Sequence, residues 1–140
     1  MSNEEQRLLG ERLLEQALIV QARAYAPYSR FAVGAALLDE QERIHLGVNV
    51  ENVSYPVGWC AEASALAAMI TAGGKKVKAI AVVGSGKEAC WPCGACRQRL
   101  LEFSSQEGLL IWAASRGGRI CEFSTLDALL PHSFGPSQLS

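Results

Sequence analysis

The run Val77 to Val83 is apolar almost without a break, Lys78 being the exception. A strand buried on one face alternates apolar and polar residues, so a run of this kind needs cover on both faces. It predicts a central strand between two layers of helices. The flanking segments supply those layers. Ser2 and Glu5 form a capping box, and Leu9, Leu13, Leu14, Ala17, Leu18 and Ala22 then recur at helical spacing, which predicts a first helix to about Ala26, before Pro27. Cys60 to about Ala72 predicts a second helix, rich in Ala, Leu and Met and stopped by Gly73-Gly74. Pro92 suits the first position of a third, running through Arg97 and Leu101 to Phe103.

The remaining strands come in pairs. Ala32 to Leu38 and Ile44 to Val50 flank the polar turn Asp39 to Arg43 and predict a hairpin. Leu109 to Ala114 and Ile120 to Phe123 are separated by only Ser115 to Arg119. A parallel crossover needs a dozen residues or more, so this last pair is expected to be antiparallel. Asn49 to Trp59 reads as irregular, broken by Pro56 and Gly58, and a short helix is expected near Leu126 to Leu130. The whole predicts an α/β fold, a mixed five-stranded sheet sandwiched between helices, in a single domain spanning residues 1–140.

The charge pattern narrows the function. Formal net charge is -1, with no run of Lys or Arg, so the basic footprint of a nucleic-acid binder is missing. The acidic start Ser2-Asn3-Glu4-Glu5 does not resemble a signal peptide, and no stretch reaches the length of a membrane span. The expectation is a cytoplasmic protein acting on a small molecule, with neither nucleic acid nor membrane as partner. Its five cysteines are then expected to be free or metal-bound rather than paired.

Three of those cysteines frame a chemical possibility. Cys60 with Glu62, and Cys93 with Cys96 after Pro92, could place three thiolates and one spare carboxylate at two helix starts. A catalytic zinc keeps three protein ligands and an open position for water, and a nearby carboxylate can then move that water's proton. Partial positive charge at the helix N-termini would offset the thiolates. The spacing leaves other readings open: Cys90, Cys93 and Cys96 could form part of a four-thiolate structural zinc site or a fragment of an iron-sulfur motif. Cys90 and Cys121 otherwise read as ordinary thiols, His45 and His132 as surface residues. The three tryptophans read as core, with Trp59 and Trp91 also candidate pocket walls.

Taken together, the segments Ala26 to Leu37, Asn49 to Pro56, Cys60-Ala61-Glu62, Pro92 to Gln98 and Leu129 to Pro136 resemble the small homotetrameric cytidine deaminases over nearly the whole chain. The likeness implies one zinc per subunit on Cys60, Cys93 and Cys96, with Glu62 as proton shuttle for a zinc-bound hydroxide. The implied reaction is deamination of cytidine and deoxycytidine to uridine and deoxyuridine, with release of ammonia, as in pyrimidine salvage. By the same resemblance Asn49 and Glu51 bond the sugar hydroxyls, and Phe31, Ala61 and Trp91 border the base. Phe134 would reach a neighbouring subunit's ligand, with Tyr28 and Tyr55 near the shared sites of a homotetramer. Deaminases of polynucleotides differ in having parallel final strands joined by a helix.

Two positions depart from that pattern. Ala63 stands where an Arg usually softens the thiolate charge, and Arg97 is the nearest candidate for that duty; Trp91 stands where Ser is usual. These departures motivate an alternative substrate, an N4-modified cytidine or a nucleoside of the blasticidin S type. A zinc-stabilised binding module without turnover is a further alternative.

Overall fold

A computed structural model describes residues 1–140. Its elements are α1 (Asn3–Gln21), β1 (Val33–Asp39), β2 (Ile44–Val48), α2 (Ala61–Thr71), β3 (Val77–Gly84), α3 (Gly94–Glu102), β4 (Leu110–Ala114), β5 (Cys121–Thr125) and α4 (Leu126–Leu129). One five-stranded sheet runs in the order β2-β1-β3-β4-β5, so the continuous apolar run is its middle strand. Only β3 and β4 are parallel; β1 pairs antiparallel with both β2 and β3, and β4 with β5.

The two faces of the sheet carry separate cores. Alternate residues of β1 and β3 point to opposite sides. Ala36, Leu38, Ala79, Ala81 and Val83 meet Leu13 and Ala17 of α1. Ala35, Leu37, Ile80 and Val82 meet Leu66 and Met69 of α2, Leu100 of α3 and Leu126 of α4. Each fully buried Leu or Ile is worth about 1.5–3 kcal/mol of hydrophobic stabilisation. Gly47 sets the distance of α2 from the sheet: a Cβ there would lie 2.3 Å from the Ala61 carbonyl oxygen and 2.4 Å from the Ala65 nitrogen.

Three expectations need correction. The first helix ends at Gln21 rather than about Ala26, because the Tyr25 backbone is taken up by Asn49 and Glu51 in a bridge to Val50. Pro92 lies outside the third helix, whose N-cap is Cys93. His45 is buried, not a surface residue: its Nε2 lies 2.7 Å from Oδ2 of Asp39, itself fully buried. Asp39 also accepts from the backbone amides of Gln41 and Arg43 and from Arg43 Nε, which closes the β1–β2 turn.

Candidate active site

Cys60 and Cys93 occupy the same position in their helices. Each is an N-cap in extended conformation, with ψ of 155° and 168°, and neither thiol bonds the helix it precedes. The sulfurs are therefore free to turn outward, while the first amides of both helices remain unpaired and positive. Cys96 stands one turn into α3 and is buried. The three sulfurs lie within 4.8 Å of one another. Ligands at 2.3 Å around a tetrahedral zinc are about 3.8 Å apart, so the cluster fits that ion with little adjustment. Cys90 is not part of it, so the cluster offers three sulfurs and no fourth thiolate.

Glu62, in the first turn of α2, is only 5% exposed. Burial, and after it the charge at Cys60, pushes its carboxyl above the usual range. A hydrogen bond from Cys96 and then the charge of Arg99 pull the Cys60 thiol down to about 6, against burial. Hydrogen bonding to Cys60 and burial push the Cys96 thiol up. A metal takes all three sulfurs as thiolates, so binding one must displace the protons they carry without it.

In front lies a cavity of about 520 Å³, the size of a small-molecule site. Cys60, Ala61, Glu62, Trp91 and Cys93 line it together with Tyr28, Asn49, Glu51, Tyr55 and Trp59. The Tyr28 and Tyr55 rings stand 6.1 Å apart. Asn49 Oδ1 accepts from the Val33 amide and its Nδ2 donates to the Phe31 carbonyl. Glu51 Oε1 accepts from the amides of Tyr28 and Ser29, and its Oε2 from the Ser29 hydroxyl. Each side chain keeps further hydrogen-bonding capacity towards the cavity.

Other expected residues fall elsewhere. Phe31 does not line this cavity; it sits against Gly84 and Gly86. Phe134 is 58% exposed, its carbonyl held by Gln98 Nε2. Trp59 and Trp91 border the cavity, while Trp112 is core. Arg97 does not attend the thiols, because Nε donates to the Pro92 carbonyl and Nη1 to that of Leu129. Arg99 does, with Nη1 3.6 Å from Cys96 Sγ. Sequence reasoning passed over Arg99 and Ser29. The three-residue step from Cys96 to Arg99, which shares a helix face, was the available signal for the first.

A thiol cluster that fits zinc, a buried carboxylate beside it and a cavity of small-molecule size are what a zinc-dependent hydrolytic deaminase requires. Residues 9–110 match the cytidine and deoxycytidylate deaminase zinc-binding region, and the chain belongs to that family. It is 45% identical to the cytidine deaminase of Mycobacterium tuberculosis over 118 residues, 84% of each chain. With that of Sporosarcina psychrophila it shares 38% identity over 130 residues, 93% of this chain and 94% of the relative. The crystal structure of the Burkholderia pseudomallei cytidine deaminase superposes with a TM-score of 0.82 at 37% identity, covering 96% of this chain and 100% of that one.

Proposed function

We propose that this chain hydrolyses cytidine and deoxycytidine to uridine and deoxyuridine, releasing ammonia. The observation that carries the reading is Glu62, buried at the wall of the cavity beside three clustered thiols that it does not join. Cys60, Cys93 and Cys96 would hold a zinc ion, which would supply Lewis acidity to activate water near neutral pH. Glu62 takes one proton from the attacking water and delivers it to ring N3, then takes the second from the new C4 hydroxyl and gives it to the departing amine, which leaves as ammonia while the C4 carbonyl forms. Its raised affinity for protons suits a group that must both accept and return one. Asn49 and Glu51, which line the same cavity, hold the sugar hydroxyls, and Ser29 fixes the direction of Glu51.

Ammonia release from cytidine tests this, with Glu62→Gln as the matched control. Turnover is expected to fall by roughly two to four powers of ten while zinc stays bound; near-normal turnover in the variant would overturn the role of Glu62.

Trp91 on the cavity wall supports a second reading, a preference for N4-modified or blasticidin S-type nucleosides. Ala63 lends it no support, since it lines an outer groove between α2 and α3. Specificity constants measured side by side decide the matter, and a strong preference for plain cytidine ends the second reading. The active form in this proposal is a homotetramer in the cytoplasm, with Tyr28, Tyr55 and Phe134 at sites shared between subunits. No helix is long and apolar enough to cross a membrane.

A further inference from the structure

We infer that Arg99 is the positioning residue of the metal centre, holding Cys96 by a charge-assisted N–H···S bond and balancing the thiolates from outside the cavity. The inference rests on the zinc reading above. Three thiolates around a divalent cation leave one net negative charge, and a buried sulfur such as Cys96 has little water with which to share it.

The geometry gives that charge one cationic neighbour. Arg99 Nη1 lies 3.6 Å from Cys96 Sγ. Its charge is committed to no carboxylate, because the ion pairs of the molecule involve Arg7, Arg43, His45 and Lys78 instead. Arg97, nearer in sequence to Cys96, is spent on two backbone carbonyls. Cys96 and Arg99 are three residues apart on α3, which brings the guanidinium back over the helix start where the sulfur lies.

The facing helix leaves room for this arrangement. Ala63 of α2 and Arg99 of α3 line the same groove, together with Trp59 and Phe103. The small side chain at 63 keeps the groove open for the longer one opposite. The cation that softens the thiolates thus comes from α3 in this chain, and the groove marks where an arginine on α2 could replace it.

Zinc affinity measured by competition with a chromophoric chelator tests the inference without recourse to activity. Arg99→Met keeps the length of the stem and removes the charge; it is expected to weaken zinc binding by about tenfold to a hundredfold. In the cobalt-substituted protein its thiolate-to-metal charge-transfer band should move to lower energy, since the sulfur lone pairs lose a stabilising cation. Arg99→Lys should retain much of the affinity, and the double variant Ala63→Arg with Arg99→Met should recover both affinity and band position. Unchanged affinity and an unmoved band in Arg99→Met would overturn the inference alone. Failure of the unaltered protein to bind either metal would overturn the zinc reading with it. Should Arg99→Met not fold, an Arg99→Gln variant that folds and binds zinc as tightly as the parent is equally fatal.

Discussion

Glu51 and Glu62 are the same side chain in opposite surroundings. Glu51 is held ionised by the Ser29 hydroxyl and two backbone amides, so it serves as a fixed acceptor. Glu62 is buried beside thiols, and burial makes it hold its proton more tightly, which suits the carrier's role proposed for it. Asp39 shows a third case. Burial alone would raise its carboxyl, yet His45 and the amides of Arg43 and Gln41 outweigh burial and bring it from 3.8 to about 2. That stabilisation is complete above the ordinary carboxylate value and is lost as pH falls towards 2. Asp39→Asn should cost about 2 kcal/mol in denaturant unfolding at pH 7, with the gap to the parent narrowing below about pH 4. The thiol cluster was legible in the sequence because each of its two pieces, Cys60 to Glu62 and Cys93 to Cys96, is a short motif at a helix start. His45 was not, because it is buried by a partner, Asp39, that the hairpin turn brings close; Arg99 was passed over although Cys96 lies only one helical turn before it.

At the scale of elements, the position of α2 decides where Cys60 and Glu62 stand. Gly47 of β2 admits that helix, whose Ala61 and Ala65 backbone occupies the space of a side chain. Gly47→Ala should therefore destabilise the fold by about 1–3 kcal/mol and lower zinc occupancy with it, as thermal unfolding and metal analysis of the purified variant would record. Replacement without effect on either would mean that α2 is free to shift. The strands and helices were readable from periodicity, and the sheet's middle strand from its unbroken apolar run. Their ends were less so. The first helix stops early because Tyr25 pairs with a segment some 24 residues later, and Pro92 fixes the approach to α3 rather than its first turn.

For the whole molecule, the surface around the cavity mouth bears on assembly. Tyr55 there is 74% exposed and Trp59 59%; Phe134, which does not line the cavity, is 58% exposed, and large apolar side chains left so open are of the kind that association covers. Sedimentation should find a tetramer, and Phe134→Ala should lower kcat/KM by roughly tenfold, about 1.4 kcal/mol; a fully active monomer would contradict the shared-site proposal. The sheet order itself has a further consequence. The start of β1 and the end of β3 meet at one rim, Val33 opposite Gly84, and Val33 itself borders the cavity there. The walls of the cavity are drawn largely from the irregular segments around residues 28, 49–59 and 90–93, which lie apart from most of both cores. Inheritance can therefore revise what is bound at little risk to the scaffold, and a laboratory seeking a new nucleoside preference has a short stretch of chain to randomise.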